Sequence, residues 1–198
     1  MPEKNTASEE WARLKPDTVI AVGELSRKLE GASENREELI DAYLYAKRLL
    51  AESMRAYVRM GLPERCEEFH MRRAEIKEEL QRQYKGKLPD AYLAVPYKSR
   101  VNEELFCLLH QRVGEEVPGS LLRTVTADSV HTERRIRELR ELGFPIASSE
   151  SEGIDFYRLV SSDPDFSMIP SIIKNVAHKR KYREMPEEEL ARILGCHP

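Results

Sequence analysis

The amino-acid sequence predicts a mainly α-helical protein with a small β-hairpin near residue 150. Apolar residues recur at spacings of three and four through residues 35–60, which is the helical period. Residues 121–159 read as a short helix, a turn, an arginine-rich amphipathic helix and a strand–turn–strand hairpin. We predict an N-terminal helical hairpin region at 1–90, a helix-turn-helix with its hairpin at 91–162, and a C-terminal helical tail at 163–198.

The composition is that of a globular protein. The 198 residues suffice for one domain with a proper core or for two small ones. Hydrophobic residues make up 40% and charged residues 34%, and no apolar run has the roughly 18 residues of a membrane span. Because the N-terminus is polar and lacks a signal-peptide stretch, we expect a cytoplasmic protein.

Charge and cysteine content narrow the possible functions. The net charge of −3 means that any nucleic-acid site must be a local basic patch. The cysteines are Cys66, Cys107 and Cys196, an odd and sparse set that does not suggest a disulfide framework. We expect reduced thiols, which fit a cytoplasmic location.

The sequence of residues 1–31 predicts two short helices. Ser8 can cap the first, and Asp17 can cap the second, which would end at Gly31. The run Thr18–Val22 is also compatible with a strand, so both alternatives stay open at this point.

Residues 35–60 form the clearest helix of the sequence. Asn35 and Glu38 give an N-terminal capping signature, and Gly61 ends the helix. The apolar positions form two neighbouring stripes, with Ser53 as a polar interruption: Leu39, Tyr43, Ala46, Leu50 and Tyr57, and Ile40, Leu44, Ala51, Met54 and Val58. So wide an apolar face predicts contacts on more than one side, including self-association.

A further helix is expected to start at Pro63 and to carry Phe69, Ile76 and Leu80. Because the connecting loop is very short, this helix should fold back on helix 35–60 as an antiparallel hairpin. Residues 85–98, with Gly86, Pro89 and Pro96, are the expected boundary of the next module.

The next module begins with a helix at Arg100–Val113, and Pro118-Gly119 opens a second short helix. Asp128 or Ser129 can cap the third helix, which the strand–turn–strand hairpin follows. In the tail, helices are expected to begin at Asp163-Pro-Asp165 and at Pro186, with Gly195 as the final stop.

The third helix has two distinct faces. At about 100° per residue along Val130–Leu142, one face carries Thr132, Ile136 and Leu139, which should pack inward. Arg134 points the opposite way with Val130, His131 and Arg137 beside it, and Arg135 lies on one flank. Such a face suits base reading, because arginine can bond both guanine acceptors. The alternative is an ordinary solvated helix with Arg–Glu pairs.

Glu138 and Glu141 lie later on the same outward side, where they would repel phosphate. Only the front half of the helix is therefore expected to enter a DNA groove.

The run Arg134–Ile146 resembles the winged-helix domains of bacterial and phage DNA-binding proteins, particularly those attached to restriction endonucleases and related defence proteins. Asp155–Leu159 is similar to the final wing strand of that family, and the resemblance covers about residues 99–160. It implies a winged helix-turn-helix whose base-reading positions fall on Val130, His131, Arg134 and Arg135.

The wing tip departs from this family, because residues 148–153 are acidic where DNA-binding wings usually carry lysine or arginine. The departure favours an alternative, in which the module is an adaptor that binds protein. Phosphate contacts could come instead from Arg137, Arg140 and the basic run of residues 174–183, which includes Lys174, Lys179, Arg180 and Lys181.

Little in the sequence suggests catalysis. Glu75-Ile76-Lys77 has the Glu-x-Lys form of many restriction enzymes but falls in a helical segment without a framing aspartate. The pairs Cys66/His70 and Cys107/His110 could meet as a zinc site, although incidental cysteines with nearby polar histidines are the simpler interpretation. No catalytic residue, metal or cofactor is predicted.

We therefore expect a non-catalytic protein that binds double-stranded DNA. It would be a regulator of transcription or a DNA-recognition component of a bacterial or phage antiviral or restriction system, and it would form a homo-oligomer or join a protein complex. A protein-binding adaptor is the first alternative and a nuclease the second.

Overall fold

The computed structural model describes residues 6–31, 35–127, 131–179 and 185–195. The α-helices are α1 (Thr6–Glu30), α2 (Arg36–Arg59), α3 (Glu67–Tyr84), α4 (Arg100–His110), α5 (Gly119–Val125), α6 (Thr132–Glu141), α7 (Ile169–His178) and α8 (Glu187–Ile193). The strands are β1 (Val117–Pro118), β2 (Ile146–Ser151) and β3 (Ile154–Leu159). This mainly α-helical architecture with one small antiparallel sheet confirms the predicted fold class.

Internal contacts divide the chain into two compact units that are interleaved along the sequence. The first unit comprises residues 1–65 and 119–132, and the second comprises residues 66–118 and 133–198. Each unit is described by itself below. The sequence-based limits at residues 90 and 162 stay a prediction.

In the first unit, α1 is one continuous helix of 25 residues with Pro16 inside it. The two predicted helices, and the alternative strand at Thr18–Val22, are therefore wrong. Proline removes an amide hydrogen and costs a helix interior about 3 kcal/mol. Packing outweighs that cost, because Leu14, Thr18 and Ala21 are all buried on one face of the helix.

α1 pairs with α2 as an antiparallel hairpin. Arg59 contacts Glu10 at 3.1 Å near one end, and Lys28 contacts Glu38 at 3.0 Å near the other. Alanine and leucine side chains form the shared core, which consists of Leu14, Ala21, Ala46, Leu49 and Ala56. The sequence predicted a hairpin of α2 with the helix from Pro63. Because α3 belongs to the second unit, that pairing stays a prediction.

Ser53, the polar interruption of the predicted stripe, lies at the centre of the α1–α2 contact. It is fully buried, and its Oγ lies 2.7 Å from the Oγ1 of Thr18. The face that α2 buries therefore consists of Ala46, Leu49, Ser53 and Ala56. The predicted Asn35 cap is confirmed, since its side chain accepts from the amides of Glu37 and Glu38.

In the second unit, α3 begins at Glu67 with Cys66 as its N-cap, later than the predicted start at Pro63. Three aromatic side chains hold the core together: the ring centroids of Phe69 and Phe106 lie 5.3 Å apart, and those of Phe106 and Phe144 lie 4.6 Å apart. Tilted pairs at such distances add to the hydrophobic stabilisation that ring burial provides.

α4 is buried around most of its circumference. Leu105, Phe106, Leu108 and Leu109 are all buried, and so is Cys107 on the other side of the helix. The helix ends at His110 and is followed by turns through residue 114.

The predicted hairpin forms between β2 and β3, with Ile146 opposite Leu159 and Ser151 opposite Ile154. Glu152 and Gly153 make its two-residue turn with φ values of 53° and 75°. β1, which the sequence did not reveal, pairs with the other edge of β3 and places Val117 opposite Tyr157. The sheet order is β1-β3-β2.

Gly143 connects α6 to the start of the tail. Its φ is +95°, and a Cβ there would lie 2.7 Å from the carbonyl oxygen of Asp165. The amide of Asp165 donates to the carbonyl of Gly143 at 2.8 Å. Only glycine fits this close approach.

The tail contains a 3-10 turn at Phe166–Met168 before α7, so the helix begins later than the predicted start at Asp163. Asp165 caps that turn by accepting from the amide of Ser167 at 2.9 Å. The second predicted tail helix is present as α8, and Gly195 follows it with a φ of +66°.

Within the ranges described, no helix is long and apolar enough to cross a membrane.

Candidate nucleic-acid interface

α6 has the orientation that the helical wheel predicts. Thr132, Ile136 and Leu139 are 3%, 1% and 0% exposed. On the other side, the side chains of Arg134 and Arg137 are 57% and 68% exposed. The helix thus presents two solvent-facing guanidinium groups, which we call the outward arginine face.

Glu138 points inward instead of toward the solvent. It is 5% exposed, and its carboxylate accepts from Arg135 at 2.7 Å, from Arg134 at 3.3 Å and from Asn102 of α4 at 3.1 Å. Burial acts to raise the pKa of Glu138, but the hydrogen bonds from Arg135 and Asn102 outweigh it and hold the pKa below its usual value. The prediction that Glu138 faces a phosphate backbone is therefore wrong.

Glu141 is also engaged within the second unit. Its carboxylate accepts from the hydroxyl of Tyr97 and, at 3.3 Å, from the side-chain amide of Asn175 on α7. Arg137 lies 3.8 Å away on its outer side. Both acids of the later half of α6 thus have internal partners, and the expected repulsion of phosphate by this half is not supported.

Tyr97 organises this side of α6. Its φ of 59° is uncommon for a residue other than glycine, and its carbonyl accepts from Asn102 and from Arg73 at 3.3 Å each. Arg73 also bonds the carbonyl of Val95 at 2.9 Å. Burial and the nearby Glu141 raise the pKa of Tyr97, so its hydroxyl stays a donor.

No pattern in the sequence indicates this role of Tyr97. A tyrosine in a proline-containing loop has no periodicity that would assign it to a buried network.

Arg140 has a structural partner. Its Nε donates to the carbonyl of Ile146 at 2.8 Å, which ties the end of α6 to the first residue of β2. The side chain is only partly exposed. This bond orients α6 relative to the hairpin. A phosphate contact would compete with it for the guanidinium group of Arg140, and that contact stays a prediction.

The remaining residues that were predicted to contact DNA differ in their exposure and in their partners. His131 is exposed beside the first turn of α6, whereas Lys174 is partly buried on α7. The Nζ of Lys179 donates to the hydroxyl of Tyr97 at 2.8 Å and lies 4.0 Å from the ring centroid. Val130, Arg180 and Lys181, together with the proposed caps Asp128 and Ser129, lie outside the described residues.

The hairpin tip is acidic and exposed, as the sequence indicated. Glu150 and Glu152 both face solvent. Ser149 donates to Glu116 at 2.8 Å, which places a further carboxylate beside β2. A phosphate backbone would be repelled by this surface.

The residues considered for metal or catalytic chemistry have other partners. Cys66 and Cys107 share a hydrogen bond that, together with burial, raises the pKa of Cys107. His70 contacts Glu103 at 3.2 Å, whereas His110 bonds Ser162 at 2.8 Å, so the two histidines do not join the cysteines in one site. Among the described residues, no group of three or more His, Cys, Asp or Glu side chains could hold a metal ion.

The Glu-x-Lys run lies on α3. Glu75 forms a salt bridge with Arg72 at 3.1 Å, and Ile76 is fully buried. Lys77 points to solvent.

Comparison with protein families identifies a match over part of the chain. A protein-family model described as the KpnI N-terminal domain matches residues 102–160. The matched segment runs from α4 through β3 and includes all of α6. No curated protein and no solved structure matches the chain.

Proposed function

We propose that this chain is a DNA-binding component of a restriction system and that α6 is the helix that contacts the duplex. The match of residues 102–160 to a restriction-enzyme-related domain supports the association with restriction. The element order α4, β1, α5, α6, β2, β3 is that of a winged helix-turn-helix, which supports the DNA-binding mode.

The observation that carries the proposal is the outward arginine face of α6. Arg134 and Arg137 are exposed, while the acids of the later half of the helix, Glu138 and Glu141, are bound by groups inside the second unit. Glu133 in the first turn is exposed. The later half of the solvent-facing side of α6 is therefore more cationic than its sequence suggests. A local patch of this kind suits a chain whose net charge is −3.

The arginines of α6 have different proposed roles. Arg134, in the first turns, contacts a base edge, and Arg137 contacts phosphate. Arg135 and Arg140 act as positioning residues, because their guanidinium groups bond Glu138 and the carbonyl of Ile146. His131, exposed at the start of the helix, contributes a polar contact beside Arg134.

The acidic hairpin makes the adaptor function the second candidate. Glu150 and Glu152 would face the phosphates if the hairpin lay along the duplex as basic wings do. DNA binding by α6 therefore requires a docking angle that keeps the hairpin tip away from the backbone. An adaptor would instead use the acidic tip and the outward arginine face on a protein partner.

Fluorescence anisotropy with the full chain and a labelled random-sequence duplex pool tests the proposal. Binding should be measurable at about 50 mM salt and weaken strongly by about 200 mM, because phosphate contacts release counterions. Repeated selection from the pool should enrich one sequence, and a scrambled version of it serves as the control. Absence of binding at low salt would reject DNA contact and leave the adaptor function.

A further inference from the structure

α2 carries a second apolar stripe beside the one that it buries against α1. Of this stripe, Tyr57 also contacts α1, where its ring centroid lies 5.3 Å from that of Trp11. The six large side chains of the stripe are between 38% and 55% exposed: Ile40, Tyr43, Leu44, Leu50, Met54 and Tyr57. The smaller Ala51 and Val58 lie on the same side and are partly exposed. We call these eight residues, together with Lys47, the outer seam.

The outer seam follows a strict seven-residue repeat. Three successive heptads place Ile40, Lys47 and Met54 at one position and Tyr43, Leu50 and Tyr57 at the next apolar position. The stripe buried against α1 uses different heptad positions, those of Ala46, Leu49, Ser53 and Ala56. A repeat of exactly seven residues is the pattern that packs one helix along another.

The exposed area is close to that of a stable interface. Six large apolar side chains, each about half exposed and each with roughly 200 Å² of surface, present on the order of 600 Å². A standard protein interface buries about 800 Å² on each partner. A patch of about 600 Å² is at the upper end of what a typical monomer exposes, and patches of this size often mark interaction sites.

We propose that a second copy of this chain covers the outer seam, with the two α2 helices antiparallel about a twofold axis near residues 48 and 49. In this register Ile40 lies opposite Tyr57, Tyr43 opposite Met54, and Lys47 opposite Leu50 of the second copy. In these three pairs every side chain meets an apolar or aliphatic partner, Leu44 lies opposite Ser53, and one surface serves both copies.

Lys47 decides the orientation. In a parallel pair the two Lys47 ammonium groups would face each other at equivalent core positions, and like charges at close range repel. In the antiparallel pair each Lys47 stem packs beside Leu50 of the second copy while its charge reaches solvent. The groove between α2 and α5 leaves room there: it has a volume of about 560 Å³ and is lined by Lys47, Leu50, Ser120, Arg123 and Thr124 among others.

Sedimentation equilibrium of the full chain tests the association. At about 100 micromolar the apparent mass should be twice the 23.0 kDa of one chain. Dilution should lower the apparent mass toward that of a single chain. Leu44→Glu with Leu50→Glu should give a monomer whose circular dichroism and thermal unfolding remain cooperative. Ile20→Glu, at an α1 side chain that is 65% exposed, is the matched control and should leave the dimer intact.

Disulfide trapping tests the orientation. A mixture of Ile40→Cys and Tyr57→Cys chains, each with Cys196→Ser, should cross-link as a heterodimer under mild oxidation, and neither variant should cross-link with itself. Efficient self-linking of both variants would show a parallel pair. A monomer at about 100 micromolar, or a dimer that the two glutamates leave unchanged, would overturn the assignment of the seam.

Discussion

The Nη1 atom of Arg135 lies 2.7 Å from the Oε2 atom of Glu138, one turn further along α6. Asn102 of α4 donates to the same carboxylate, which is nearly excluded from solvent. An arginine that the sequence assigns to base reading is thus part of the contact that fixes α6 on α4. Arg134, its neighbour, keeps more than half of its side chain in solvent.

The two arginines should therefore differ in their effect on stability. Arg135→Ala should lower the free energy of unfolding by about 1 to 2 kcal/mol, because it removes a charge-assisted hydrogen bond from a buried carboxylate. Arg134→Ala should cost no more than about 0.5 kcal/mol, as expected for an exposed i,i+4 pair. Urea denaturation of both variants measures the difference, and equal losses would contradict the assignment of roles.

Glu138 should make stability depend on pH in the acid range. Its pKa is depressed in the folded protein, so its contribution is complete above the ordinary glutamate pKa of about 4.3 and is lost as the pH falls through the folded value. Glu138→Gln should lower the melting temperature at pH 7 and have a smaller effect at about pH 4. A melting-temperature difference that is the same at both pH values would argue against an ionised Glu138.

Gly143 should tolerate no side chain. Alanine there would adopt a φ of +95° and place its Cβ 2.7 Å from a backbone oxygen, so Gly143→Ala should cost about 2 kcal/mol or more of unfolding free energy. Gly23→Ala is the matched control. Gly23 lies inside α1 with nothing within 4 Å of a built Cβ, so alanine should stabilise the helix by about 0.5 to 1 kcal/mol.

The chain should not cut DNA by itself. We propose this because Glu75, the acid of the Glu-x-Lys run, is paired with Arg72, and Lys77 follows it on the same helix instead of on a strand. Supercoiled plasmid incubated with the protein and Mg²⁺ or Mn²⁺ should stay intact. Cleavage that disappears in Glu75→Ala would contradict this expectation.

Local patterns in the sequence predicted the buried and exposed faces of α6 correctly. They did not predict the hydrogen-bond partners of Glu138 and Glu141. The period of Thr132, Ile136 and Leu139 placed these residues in the core. The same wheel could not reveal that Asn102 and Tyr97, distant in sequence, reach Glu138 and Glu141. Such contacts depend on tertiary packing, which periodicity does not encode.

Helix pairing was harder to predict than helix position. The cap and the limits of α2 followed from Asn35 and Gly61, whereas no pattern in the sequence indicated that α1 pairs with α2. Asp17 was predicted to cap a second helix, but α1 runs through it, and the packing of Thr18 against Ser53 outweighs that local preference. β1 was not predicted, because a strand of two residues is too short to show the alternating pattern of a β-strand.

The most direct test of the account is the salt dependence of duplex binding by Arg134→Ala/Arg137→Ala, measured by anisotropy. Arg82→Ala is the control, because Arg82 is a 71% exposed arginine on α3 that pairs with Glu79 as Arg134 pairs with Glu138. We predict that the double variant loses at least about tenfold in affinity and that its log–log salt slope falls by roughly 1 to 2, whereas Arg82→Ala binds like the parent. Equal affinities for the double variant and the parent, with the fold intact, would contradict the assignment of α6 as the DNA-contacting helix.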